Sequence, residues 1–151
     1  MRKKPKYHQG FYTPENPSKY KGNVKKIIFR SGLELKYFRY CDLNPNVLQW
    51  NSEEVFVPYV SIDGRQHRYF IDLWMEVKTA KTGEIKQYLA EIKPKIQTHK
   101  PSSRGHKEGV NNRYYKLKMR DYMVNVAKWD AAQKFAKKRG IQFIILTEED
   151  I

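Results

Sequence analysis

Residues 69–95, YFIDLWMEVKTAKTGEIKQYLAEIKPK, constrain the fold more than any other part of the chain. Two apolar segments flank the turn-forming triplet Lys81-Thr82-Gly83, so the stretch reads as a β-hairpin. Its first strand holds Asp72 and its second holds Glu91-Ile92-Lys93. Pairing Asp72 with Glu91 sets Ile71 against Ile92, Leu73 against Ala90 and Met75 against Tyr88, which makes one face of both strands apolar. The other face then carries Asp72, Glu91 and Lys93. A two-residue shift opposes Asp72 to Lys93 and keeps that face, whereas a one-residue shift turns Asp72 into the core. Directly opposed Cβ atoms lie about 5 Å apart, close enough for two carboxylates to share one divalent cation.

Such a constellation suits phosphodiester hydrolysis, which requires an activated water and a counter-charge for the transition state. Oxygen ligands favour Mg²⁺, with Mn²⁺ as its substitute, and Mg²⁺ needs only one or two carboxylates because it keeps several waters. Asp72 and Glu91 are the candidate ligands, with the carbonyl of Ile92 as a third. Lys93 is placed to orient or deprotonate the attacking water and to offset charge. Two plainer readings stay open here: a surface salt bridge between Asp72 and Lys93, and an E-x-K triplet arising by frequency in a lysine-rich chain.

Upstream, Ser31 can cap a helix over residues 31–43, with Leu33, Tyr37, Tyr40 and Cys41 at helical spacing and Asn44-Pro45 ending it. Glu34 falls in its first turn. It either complements the helix dipole or reaches into the site to bind a second metal or fix a water. Residues 47–50 read as a short apolar turn. Residues 54–60 read as a strand made an edge or a bulge by Pro58, and Asp63-Gly64 turns the chain into the strand carrying Asp72. Downstream, residues 113–124 and 126–139 read as two helices, the second capped by Asn125 and stopped by Gly140. Residues 141–146, IQFIIL, read as a buried strand that a right-handed crossover returns to the sheet. The fold expected is α/β in the order helix, three antiparallel or mixed strands, helices, strand. It comprises a basic N-terminal arm, 1–30, and one domain, 31–151.

Charge points to the partner. Thirty lysines and arginines against sixteen acids give +14, which favours a polyanion. The arm holds Arg2, Lys3, Lys4, Lys6, Lys19, Lys21, Lys25, Lys26 and Arg30 against the single acid Glu15. Either it lies across the body or on nucleic acid, or it is a solvated tail. Residues 86–120 are also basic and contain Tyr114 and Tyr115. They read either as a backbone-tracking groove, with Lys95, Arg113 and Lys116 as candidate DNA contacts, or as a solvated helix face with tyrosines in the core. No apolar run is long enough to span a membrane, no signal peptide is expected, and no glycine-rich phosphate loop points to a nucleotide cofactor. His8, His67, His99 and His106 share no element at ligand spacing, and the lone Cys41 reads as core.

A helix glutamate, Glu34, then Ile71-Asp72, then Glu91-Ile92-Lys93 resembles the PD-(D/E)xK restriction-endonuclease-like superfamily, with Ile71 standing where its motif has proline. A narrower likeness runs through SKYKGNVKKIIFRSGLELKYFRY, NPNVLQWNSEEVFVPY, RYFIDLW, EIKPK, VNVAKWDAAQKFAKKRG and FIILTEED. These segments resemble the head-completion nuclease family of T-even-type tailed phages, itself similar to the TnsA endonuclease subunit of transposons. The resemblance implies a restriction-endonuclease-like core and Mg²⁺-dependent DNA cleavage. It also implies a role in finishing the DNA-filled head before the tail joins, phage head or portal proteins as partners, and a place in the virion or, during assembly, the host cell cytoplasm. Within its N-x-x-K-W segment, Lys128 is a candidate phosphate contact and Trp129 a core residue. The rival class is a non-enzymatic DNA-binding head-closure protein that keeps the fold. A transposase-type subunit is a third reading.

Overall fold

The computed structural model describes residues 9–151, so the first eight residues of the expected arm, with four of its basic side chains, lie outside the described residues. Ser31 starts the first helix as expected, its hydroxyl accepting the Glu34 N–H at 3.1 Å, and α1 (Gly32–Leu43) ends before Asn44-Pro45. Tyr37, Phe38, Cys41 and Asp42 form its buried side, whereas Tyr40 faces solvent. Ahead of α1, β1 (Gly10–Phe11) and β2 (Ile28–Phe29) pair antiparallel, and Tyr20, Ile27 and Phe29 enter the core. From Gln9 onward, therefore, the segment lies across the body.

Three antiparallel strands and one parallel strand make the main sheet, in the order β3 (Val47–Asn51), β6 (Leu73–Lys78), β7 (Ile85–Ile92), β8 (Gln142–Leu146). A separate hairpin pairs β4 (Phe56–Val60) with β5 (Gln66–Phe70), its turn closed by Gly64 at φ 76°. Pro58 sits in β4 opposite Arg68, on a two-stranded sheet where an edge tolerates the missing N–H. The expected hairpin is present with the register the apolar pattern selects: Leu73 opposite Ala90 and Met75 opposite Tyr88.

Three expectations are corrected. Residues 47–50 are not a turn but β3, the sheet's edge. The strand expected to carry Asp72 is two strands, β5 and β6, with Asp72 in the break between them. The two expected helices are one, α2 (Arg113–Lys138), capped by Asn112, whose side chain accepts the Tyr115 N–H at 3.0 Å. With no proline or glycine in that span, Asn125 is absorbed at a cost of only about 0.7 kcal/mol.

Both faces of the sheet are covered, so the face expected to carry Asp72, Glu91 and Lys93 is apolar over most of its length as well. Leu73, Met75, Ala90 and Ile92 pack with α1 and the N-terminal segment. Leu89, with Trp74, Phe143 and Ile145, packs with Trp129, Ala132 and Ala136 of α2 and with Val57, Tyr59 and Tyr69 of the small hairpin. Gly140 ends α2 at φ 69°, while Ile141 N–H reaches back to Ala136 O at 2.9 Å and swings the chain into β8. Gly140→Ala is expected to cost about 1 kcal/mol, read as a lower thermal midpoint, because a Cβ is strained at that angle. Among the described residues no helix is long and apolar enough to cross a membrane.

Candidate active site

The break at Asp72 delivers its carboxylate to the neighbouring strand. Ile71 is pinned on both sides, its N–H to Val55 O at 2.8 Å and its carbonyl to the Glu53 N–H at 3.0 Å. Ile71 then packs on the α2 side with Leu89, while Leu73, two residues on, packs on the α1 side with Ala90. Simple strand alternation would keep the two on one face. The reversal at Asp72 lets its Oδ2 accept the Ile92 N–H at 2.9 Å.

Glu91, at the end of β7, is 5% exposed. Its Oε2 accepts the Tyr69 hydroxyl, and its Oε1 lies 3.8 Å from Lys93 Nζ. The ion pair of Lys93 is thus with Glu91, not with Asp72. Burial pushes the Asp72 carboxyl well above the ordinary carboxylate range, and the charge of Glu91 pushes it further. The Ile92 N–H and the Lys93 charge oppose this without prevailing. Burial, then Glu91, likewise raises the Tyr69 phenol.

Glu34 stands beside this pair. Its Oε2 accepts the Arg30 N–H at 3.1 Å while its own N–H is capped by Ser31, so the glutamate does complement the helix start. Burial pushes its carboxyl up, and the Glu53 and Glu91 charges add to that against the Arg30 hydrogen bond. Arg30 spans Glu53 with two bonds of 3.1 Å, Nε to Oε1 and Nη2 to Oε2. Glu53 is held in the left-handed region at φ 55°, a conformation that costs of order 1 kcal/mol in a non-glycine residue.

Asp72, the Ile92 backbone, Glu91 and Lys93 are therefore brought together, with Glu34 alongside. Lys128 joins them through Tyr69, its Nζ lying 5.6 Å from that ring, and Trp129 is core as expected. Lys95 is engaged elsewhere, its N–H on Glu148 at 2.9 Å and its Nζ on Glu149 at 2.7 Å. Arg113 and Lys116 lie exposed on the first turn of α2, roughly 20 Å along the helix from Lys128. Sequence reasoning missed Arg30, Glu53 and Tyr69. Tyr69 had a signal, standing three residues before Asp72 in RYFID, but Glu53 depends on a turn no local pattern announces.

Among the described residues, no group of three or more His, Cys, Asp or Glu side chains converges as a ready cage for a metal. The donors present still suit a hard cation that keeps its waters. Two carboxylates sit together in a buried place, where burial first and the Glu91 charge second raise the Asp72 carboxyl, and a bound cation would offset both.

Two comparisons with known proteins bear on this arrangement. Residues 44–148 match the family described as TnsA-like endonuclease N terminal. The chain is also 38% identical over 145 residues to the head completion nuclease of Enterobacteria phage T4, covering 95% of this chain and 93% of that protein.

Proposed function

Since the chain belongs to the TnsA-like endonuclease N-terminal family, we propose that it is a divalent-metal-dependent DNA endonuclease acting in phage head completion, on a restriction-endonuclease-like core. The observation that supports this most is the meeting of Asp72 and Glu91 beside Lys93, in a chain whose +14 charge favours a polyanion. Asp72, Glu91 and the Ile92 carbonyl would hold Mg²⁺, or Mn²⁺ in its place. When bound, that ion supplies polarisation of the phosphodiester and a water of lowered pKa.

The chain's own groups account for the remaining work. Tyr69 fixes one oxygen of Glu91, leaving the other toward Lys93. Lys93 orients the attacking water or takes its proton, and its charge offsets the negative charge that accumulates on the phosphate. Glu34 positions a water or completes a second cation site. Arg30 ties it to Glu53 and, through the Glu53 N–H on the Ile71 carbonyl, to the bend that holds Asp72. Lys128, poised over Tyr69, meets a phosphate of the bound strand. Arg113, Lys116 and Lys95 are outlying DNA contacts, Lys95 only after release from Glu149. Head or portal proteins of the particle are the partners, and the virion and the host cytoplasm during assembly the places of action.

The test is a cleavage assay on plasmid, branched and single-stranded DNA with Mg²⁺ or Mn²⁺ and a chelator control. Wild-type protein is expected to cut, and Lys93→Ala to be slower by about 100-fold or more with its affinity for DNA changed little. Failure of the wild type on every substrate and metal would leave the non-enzymatic head-closure role standing instead.

A further inference from the structure

The side of α2 that packs on the sheet continues past the sheet's cover. Trp129, Ala132 and Ala136 are its buried residues, and at about 100° per residue Tyr114, Lys118, Asp121, Tyr122 and Asn125 continue the same side toward the N-terminus. Tyr122 still meets Trp129 edge-on at 6.5 Å. Beyond it this side faces the loop after β7, residues 96–106, across a groove of about 710 Å³.

The lining combines rings with cations. Tyr114 is 59% exposed, with Lys118 Nζ 5.3 Å from its ring centroid. The His106 ring lies 5.7 Å from Tyr114 and 6.3 Å from Tyr115, and Lys100 stands on the loop wall. Among the described residues, Asp121 is the single carboxylate of the lining. The exposed Tyr114 ring, with the half-buried His106 and Tyr115 rings next to it and ammonium groups alongside, matches a polyanion that also offers flat apolar faces, which is a nucleic acid strand with unpaired bases. A duplex keeps those faces in its own stack and presents phosphates. An acidic peptide brings charge without a regular run of flat faces to stack along the groove.

The groove also points the right way. Its inner end, at Asn125, is one helical turn from Lys128, whose ammonium lies over Tyr69, and Tyr69 bonds Glu91. From Tyr114 to Asn125 the helix rises about 16 Å, the length of roughly five stacked nucleotides.

We propose that the groove between α2 and the 96–106 loop binds an unpaired DNA strand, so that the site cuts DNA carrying a single-stranded segment beside the scissile bond. The second half rests on the nuclease reading, whereas the first does not. Binding of labelled oligothymidylate of about 20 nucleotides, and of a duplex of equal length, is measured by anisotropy in chelator across salt concentrations. Tyr114→Ala and His106→Ala are expected to weaken strand binding about fivefold or more while duplex binding holds within about twofold. Tyr114→Phe keeps the ring and restores the strand. With Mg²⁺, the wild type cuts a flap faster than a plain duplex, and Tyr114→Ala loses that preference. Equal losses on both DNAs, or no loss on the strand, overturn the proposal. So does a Tyr114→Ala protein that sediments as a monomer where the wild type is a dimer, with DNA affinity untouched. Groove-dependent strand binding by a protein that cuts nothing would uphold the groove and remove the nuclease; cutting indifferent to every groove variant would do the reverse.

Discussion

Asp72→Asn is expected to lower metal-dependent DNA cleavage by about 10³-fold, the scale of a lost metal ligand worth several kcal/mol in the transition state. The same substitution is expected to leave the metal-free protein as stable as the wild type or more so. An asparagine oxygen can still accept the Ile92 N–H that Asp72 Oδ2 accepts at 2.9 Å, so the bend between β5 and β6 keeps its anchor. What disappears is a charge that burial and Glu91 both oppose. The sign follows from linkage. A carboxyl whose folded pKa is raised binds more protons folded than unfolded, so without metal the fold loses stability as pH rises from the unfolded value of about 3.8 through the raised one. Asparagine has no such loss. Calorimetry at neutral pH should therefore show Mg²⁺ raising the wild-type midpoint and leaving that of Asp72→Asn where it was. A variant that cuts normally, or that Mg²⁺ stabilises as it does the wild type, removes Asp72 from the metal site.

The parts of this site that lie on regular structure were legible, and the parts that depend on irregular structure were not. The hairpin register followed from apolar residues two apart, because a one-residue slip reverses every side chain. Glu91, on the straight end of β7, and Lys93, one residue past that end, were accordingly related correctly to each other. Asp72 was linked to the right strand for an incomplete reason. Pairing alone does not carry it there; Ile71, held by Val55 and Glu53, makes the bend, and contacts between residues far apart in sequence leave no periodic trace. Glu53 was invisible for the same reason, since its relation to Arg30 exists only once the turn after β3 closes at φ 55°. The edge strand β3 was missed because so short an apolar stretch between Asn-Pro and Asn-Ser reads as a turn until β6 lies beside it. In α2, Asn125 suggested a cap, but propensity at one position yields to 26 residues of continuous helix packed at one end on the sheet.

The largest effect on stability is expected away from the acids of the site, at Asp42. This side chain, 0% exposed on the buried side of α1, gathers the N-terminal segment. Its Oδ2 accepts the Tyr12 hydroxyl at 2.5 Å and the Glu15 N–H at 2.8 Å, its Oδ1 accepts the Asn16 N–H at 2.9 Å, and its carbonyl takes Asn16 Nδ2 and Lys19 Nζ. Burial pushes the carboxyl up, yet these bonds together outweigh it and hold the pKa below the ordinary value. Asp42→Ala strands two backbone N–H groups and a phenol, and is expected to cost about 3 kcal/mol, or roughly 6–12 °C in thermal midpoint. A depressed carboxyl contributes fully above its unfolded pKa of 3.8 and progressively less as pH falls through its lower folded value, so the gap between wild type and variant should shrink below about pH 4. The consequence reaches the site, because the segment Asp42 anchors leads through β2 to Arg30, whose N–H holds Glu34 and whose guanidinium holds Glu53. Limited proteolysis should then cut Asp42→Ala first within residues 9–27, and any residual cleavage of DNA should fall further than unfolding accounts for. A midpoint within about 1 °C of the wild type would show that Tyr12, Glu15 and Asn16 find water as good a partner as this carboxylate.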